Sequence, residues 1–398
     1  MERIESGLEG IAVAATRLSH VDGAGGHLLI GGYAVEDLAP NARFEEALFL
    51  LWFGHAPTAR ETDELTARLA AARELPAVTL VLLRAAARAG VVAMDALRMG
   101  VDTLSLVDAC PADGSRDADI ARAIGLVARA ATVAAAYARL RRGLEPIAPS
   151  RTLGHAANYL YMLEGRTPAR AAARALETYF NTVIDHGMNA STFTARVISS
   201  TRSDMYSAVV GAIGALKGPL HGGAPGPALD MVFEIRARAA ESGRDLRAEA
   251  EAHVRAMVAA GERIMGFGHR VYRVRDPRAD VLGRAAAQLF ENREERAAVG
   301  VALYDDVRAV EAVVLEVLGE LKPGRRIATN VEFYTALLLH GIGLAAELFT
   351  PTFAVARMGG WTAHVLEQSE HNRLIRPDAT YVGPHHPRWG APGERLCA

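Results

Sequence analysis

Two histidines set in glycine-flanked loops are the residues of this chain best suited to chemistry. They are His221, in Gly218-Pro219-Leu220-His221-Gly222-Gly223-Ala224, and His269, in Gly266-Phe267-Gly268-His269-Arg270. Glycine beside a histidine leaves open backbone, so a ligand can approach the main chain closely. Imidazole donates or accepts a hydrogen bond near neutral pH, which suits it to polarising a carbonyl or moving a proton. Two further candidates stand at expected helix ends: His186, just before Gly187, and Glu332. Arginines follow His269 closely, at 270, 273, 275 and 278, and Arg357 and Arg376 come later. Convergent guanidinium groups make a fork for a small polycarboxylate. Histidines beside such a fork can polarise the carbonyl of a keto acid.

Bulk properties bound the class that such residues can serve. The chain has 398 residues, half of them hydrophobic and 23% charged, with a formal net charge of -2. That length supports a large core and two domains, and the charge balance favours neither nucleic acid nor a membrane surface. Nearly all the positive charge is arginine, Lys217 and Lys322 being the only lysines, so an arginine beside a histidine is weak evidence by itself. Cys110 and Cys397 are too few for a disulfide framework or a cysteine-based metal site. His385-His386 lacks a spaced ligand set, so no metal is expected. With no signal-peptide pattern at the start and no apolar run of spanning length, a soluble cytoplasmic protein is expected.

Helical periodicity dominates the elements that must position these residues. One exception lies at 18–30, where Asp-Gly and Gly-Gly pairs between apolar flanks predict a small hairpin. A helix over 44–53 should stop at Gly54. Thr167-Pro168 predicts the start of a helix that ends at His186-Gly187, with Leu176, Phe180, Val183 and Ile184 on its apolar stripe. Helices over 203–217, 224–241 and 245–260 frame the two histidine loops. Others follow over 303–321, 331–341 and 352–368, and the tail from Pro384 reads as an irregular arm. Gly341-Ile342-Gly343-Leu344-Ala345-Ala346 faintly mimics a dinucleotide fingerprint, but it follows a helix and reads as a terminator. The whole predicts an all-α, two-domain enzyme.

Several long segments, in order, resemble the citrate synthase family, which includes 2-methylcitrate synthase. Asp185-His186-Gly187-Met188-Asn189-Ala190-Ser191-Thr192 is similar to its D-H-x-x-N-A-S-T, and 218–224 to its G-P-x-H-G-G-A. Residues 266–278 resemble its G-x-G-H-x-V-…-D-P-R, 330–334 its N-V-D-F-Y, and 353–361 its F-A-x-x-R-x-x-G-W. The likeness runs from Gly7 to Pro377. It implies a large helical domain (1–221 and 337–398) with a smaller helical domain (222–336) hinged on it, in a homodimer of the tricarboxylic acid cycle. It implies condensation of oxaloacetate with acetyl-CoA followed by thioester hydrolysis, with no cofactor beyond the coenzyme A of the substrate. By the same resemblance, His221 stabilises the enol of the thioester and His269 polarises the oxaloacetate carbonyl. His186, Arg278, Arg357 and Arg376 hold oxaloacetate, Arg376 reaching in from the partner subunit. Met265, Gly266, Phe267, Gly268 and Arg273 lie along coenzyme A.

The chain departs from the family pattern at two places. Glu332 stands where the family's base is aspartate, and its extra methylene moves the carboxylate by more than ~1 Å, a misplacement that can cost roughly a hundredfold. Thr329-Asn330-Val331-Glu332 also reads as a T-x-x-E capping box, in which the glutamate caps a helix instead of abstracting a proton. Gly31 stands where many relatives carry arginine, and it removes either an anion contact or nothing of weight. Three functions fit these facts: a citrate synthase, a 2-methylcitrate synthase using propionyl-CoA, and a paralogue that binds coenzyme A or oxaloacetate without turnover. One methylene discriminates by only about 1–3 kcal/mol. His155, His253 and His364 read as ordinary core or surface residues.

Overall fold

The computed structural model describes residues 6–8, 10–106, 115–222, 226–269, 271–291 and 297–383. Gly223 and Ala224 of the first loop, Arg270, the His385-His386 pair and both cysteines lie outside the described residues. Within them the chain is all-α apart from one small sheet, as its periodicity predicts.

That sheet is the predicted hairpin, β1 (Ser19–Asp22) against β2 (His27–Ile30), antiparallel with Asp22 opposite His27, plus a short β3 (Tyr33–Ala34) on β2. Asp22 shapes the turn by accepting the N–H groups of Ala24 and Gly25. Its glycines also answer to a tertiary demand. A Cβ on Gly23 would stand 2.3 Å from the Val271 carbonyl oxygen, and one on Gly26 (φ +74°) 2.6 Å from Val274. The segment after His269 therefore lies directly on the hairpin, tied by Arg273 N–H to Gly23 O at 2.7 Å. Gly31 bends the chain towards β3 at φ +57°, with Leu50 only 2.6 Å from where a Cβ would be. This chain needs glycine there for a tight turn.

The core is built around the helix Arg116–Arg141, started by the Ser115 hydroxyl, which accepts the Ala118 N–H. It packs against Ala77–Arg88, Ala93–Asp102, His155–Glu164 and Phe349–Glu370. This helix corrects the expectation that no apolar run reaches spanning length: it is long and apolar enough, yet 83% of its apolar window is buried inside the protein. Buried Ile124, Leu126, Val127 and Val133 make it a core helix, each such side chain contributing roughly 1.5–3 kcal/mol by burial.

Helix Arg170–Val183 begins later and ends earlier than its sequence predicts, with Ala169 in place of Thr167 as its N-cap. The early end has a tertiary cause. The Val183 carbonyl, which would have accepted the Gly187 N–H one turn on, instead accepts Arg357 Nε at 2.6 Å. The Gly187 N–H (φ +59°) turns to the Ser19 hydroxyl at 2.7 Å. His186 is thereby set on a bend, off the helix. Helices Ala190–Ser200 and Met205–Leu216 follow, capped by Asn189 and Asp204.

Gly226–Ser242, Leu246–Ala259 and Ala297–Leu321 make their substantial contacts with one another and with Pro277–Glu291 and Val331–Gly341. The latter two pack on Arg170–Val183 and so join that group to the rest. Ala297–Leu321 and Phe349–Glu370 start earlier than predicted; Pro351 sits in the first turn of the latter, where its missing N–H has no helical partner to lose. Gly360 lets Phe349–Glu370 press on the His186 bend, since a Cβ there would meet Ile184 O at 2.3 Å.

Candidate active site

His221 lies in a turn closed by its own N–H to Gly218 O at 2.9 Å. The next residue has to be glycine, because a Cβ on Gly222 would stand 2.1 Å from Leu216 O. The Ser191 N–H donates to His221 Nε2 at 3.2 Å, which makes Nε2 an acceptor and leaves the proton on Nδ1. The Ser191 hydroxyl shares its one proton between Nε2 at 2.8 Å and Asn189 Oδ1 at 2.7 Å, and accepts from Trp361 Nε1 at 3.1 Å. Burial, with the positive field of Arg357, brings the His221 pKa down to about 4, so the ring is neutral at pH 7.

His269 has the opposite tautomer. The N–H groups of Val271 and Tyr272 both donate to its Nδ1 at 3.0 Å, which leaves the proton on Nε2. Burial and Arg278 lower its pKa to about 4 as well. Arg278 is held rigidly: Asp276 accepts its Nε at 3.0 Å and Nη2 at 2.8 Å, and both residues are buried. Arg278 Nη2 comes within 3.5 Å of His269 Nε2, so two donors converge with no acceptor between them. An oxygen-rich ligand is what such a pair lacks. His186 completes the cluster, its ring 5.9 Å from that of His269 and its Nε2 3.2 Å from the Tyr272 hydroxyl. Burial, then Arg278 and Arg357, hold its pKa far below the usual histidine range.

Behind His186 runs a buried chain of hydrogen bonds. Arg196 Nε donates to His364 Nδ1 at 2.9 Å, His364 Nε2 donates to Asp185 Oδ1 at 3.1 Å, and Ser19 donates to Asp185 Oδ2 at 2.5 Å. Burial alone raises the Asp185 pKa, but His364, Arg357 and Ser19 outweigh it and hold it at about 2. His364 is thus a core residue, as the sequence predicts, and one that fixes the bend carrying His186. Arg357 is buried, its Nε on Val183 O and its guanidinium over the Phe353 ring at 4.6 Å. Burial lowers its pKa to about 10, still charged at neutral pH.

Glu332 settles against the capping reading. The helix Val331–Gly341 is capped by Asn330, whose Oδ1 accepts the Glu332 N–H at 3.0 Å. Thr329 does not cap it: its hydroxyl accepts from Arg275 Nη1 at 3.2 Å and donates to buried Glu311 at 2.5 Å. The Glu332 carboxylate makes no hydrogen bond among the described residues. Burial raises its pKa to about 7, with Arg278 pulling the other way. An acid poised near neutrality in a cationic pocket is what a general base requires. Asn330 also ties this turn to the second histidine loop, through Asn330 Nδ2 to Gly268 O at 2.8 Å and Asn330 N–H to Gly266 O at 3.0 Å.

The structure therefore brings His186, His269 and Arg278 into contact and sets Arg357, Glu332 and His221 within electrostatic reach of that cluster. It leaves others apart. Arg376 is exposed beyond the last helix, on a segment fastened by Ile375 N–H to the Ser200 hydroxyl at 3.0 Å. Arg273 is exposed on the loop over the hairpin. In the 265–268 segment, Gly266 (φ +87°) and Gly268 (φ +79°) keep their backbone open, whereas the Phe267 ring is buried against Phe333. Asn189, Ser191 and Trp361 lie inside recognised motifs, but only the fold shows that they orient His221. Tyr272 and Asp276 carried no signal beyond their place beside His269 and Arg278.

Comparison with known proteins agrees with this geometry. The family model "Citrate synthase, C-terminal domain" matches residues 7–378. The chain is 43% identical to citrate synthase of Haloferax volcanii, over 96% of each chain. It is 38% identical to 2-methylcitrate synthase of Mycobacterium tuberculosis, covering 96% of this chain and 91% of that one. Among solved structures, citrate synthase from Thermotoga maritima superposes with a TM-score of 0.81 at 35% identity, covering 99% of both chains. The ternary complex of citrate synthase from Thermoplasma acidophilum with carboxymethyl coenzyme A and oxaloacetate gives 0.85 at 29% identity, covering 99% of this chain and 100% of that one.

Proposed function

The chain belongs to the citrate synthase family, and on that premise we propose that it condenses acetyl-CoA with oxaloacetate through the six gathered residues, releasing citrate and coenzyme A. The observation that carries the assignment is the pair of neutral imidazoles with opposite tautomers beside a carboxylate poised near neutrality. Glu332 takes a proton from the thioester's methyl group. His221 donates its Nδ1–H to the thioester oxygen as the enol forms, so charge builds up where a donor already waits. The enol carbon then attacks the keto carbon of oxaloacetate, whose oxygen accepts from His269 Nε2–H. Arg278, Arg357 and His186 hold the dicarboxylate. Water then hydrolyses the citryl thioester.

The helices of 222–336 form the smaller domain in this reading and close over the larger one to exclude water. The 265–268 backbone and Arg273 lie along coenzyme A. Arg376 serves the partner's site in a cytoplasmic homodimer, a role in keeping with its exposure on an anchored segment. Such an enzyme would feed citrate into the tricarboxylic acid cycle.

The 2-methylcitrate relative at 38% identity favours one second reading, that propionyl-CoA is the better thioester. Coenzyme A release from acetyl-CoA and from propionyl-CoA, each with oxaloacetate, decides between them. Release with neither, while both ligands still raise the melting temperature, would put a binding-only paralogue in the enzyme's place.

A further inference from the structure

We propose that the Tyr179 hydroxyl, unpaired among the described residues in this structure, is a positioning residue for Glu332, swinging to donate a hydrogen bond once the carboxylate ionises and holding the longer acid where it can act. The proposal rests on the reading of Glu332 as the base.

Tyr179 is fully buried, and its hydroxyl has no hydrogen-bond partner among the described residues. Buried hydroxyls are nearly always paired, and its neighbours obey the rule. Tyr137 donates to Val91 O, Tyr159 pairs with Thr352, Tyr272 with His186, and Tyr334 with Glu311. Among the buried tyrosines of the described residues Tyr179 is the exception, and its location gives a reason. It lies one turn before Val183, whose carbonyl holds Arg357. Its helix, Arg170–Val183, packs on Pro277–Glu291, Val331–Gly341 and Phe349–Glu370, which carry Arg278, Glu332 and Arg357. Burial first and then the charge of Glu332 push its pKa well above the usual tyrosine range, outweighing Arg357 and Arg278, which pull the other way, so the hydroxyl stays a donor at neutral pH. Glu332 presents the complementary lack, an acceptor without a donor.

The pairing also bears on the glutamate itself. A side chain with one more rotatable bond than aspartate needs an additional restraint to keep its carboxylate in register with the substrate. A phenol fixed in a packed helix supplies one, and it favours the anionic form of the base.

The test is Tyr179→Phe, which keeps the ring and removes only the donor. Expected are a kcat lower by about tenfold, a KM for oxaloacetate within about twofold, and the acidic limb of kcat moved up by about one pH unit. The melting temperature should hold or rise. The Glu332 carboxyl band in infrared titration of the free enzyme, identified by its loss in Glu332→Gln, should shift upward equally. An unmoved limb and band overturn the proposal. So does a raised oxaloacetate KM with the limb unmoved, which assigns the hydroxyl to the substrate. If the wild type releases no coenzyme A, the functional reading fails alone, and the infrared titration still decides this one.

Discussion

Replacing Glu332 by glutamine keeps the side chain's shape and removes its charge, so it should make the protein more stable and inactive at once. Burial raises the carboxyl from its ordinary value of 4.5 to about 7. The folded protein therefore holds this proton more tightly than the unfolded chain, and stability falls as pH rises between those two values. The interval is 7 less 4.5, and at 1.36 kcal/mol per unit it sets an upper limit of roughly 3 kcal/mol. Because Glu332 is only partly excluded from solvent, a gain of about 1–3 kcal/mol for glutamine at pH 8 is expected, vanishing near pH 4.5. Urea melts of both proteins at pH 5 and pH 8, at one fixed concentration because association also stabilises, measure it. Turnover in the variant should fall by at least about a hundredfold. In the wild type the base is about one-tenth ionised at pH 6, so kcat there should lie about tenfold below its pH 8 value. Equal stability of the two proteins at pH 8, or retained turnover, would refute the reasoning.

Two further substitutions probe the supports. Asp276→Asn releases the Arg278 fork, so the oxaloacetate KM should rise about 10- to 100-fold, and an unpaired buried guanidinium should lower the melting temperature; steady-state kinetics with an unchanged KM would show that Asp276 is not what aims Arg278. Ser191→Ala leaves the backbone N–H on His221 and removes only the hydroxyl. Its kcat should fall about tenfold, against about 10²–10³ for His221→Ala, and equal losses would argue against tautomer control by the backbone.

The proposed site residues were legible because each lies in a local string: glycine beside His221 and His269, a bend after His186, a helix start before Glu332. What was not legible came from partners far along the chain. The helix over 170–183 looks able to continue to Gly187 until Arg357 and Ser19 take the groups that would have extended it. Thr329-x-x-Glu332 looks like a capping box until Arg275 and Glu311 between them claim the threonine hydroxyl. In both, a tertiary bond displaced a plausible local one. His364 shows the same limit, since nothing near it hints at Asp185, 179 residues away. The spanning-length apolar content of Arg116–Arg141 likewise acquires its meaning only from the helices around it.

The glycine turn of the N-terminal hairpin has a practical consequence for mutational scanning. Any side chain at Gly23 must displace the Val271 carbonyl, and with it the two N–H groups that set the proton on His269. A library would score this partly exposed turn as intolerant, with soluble, folded, inactive variants rather than aggregated ones. Design that treats the first thirty residues as a replaceable surface appendage would disturb the loop that orients His269 without substituting His269 or any residue it touches.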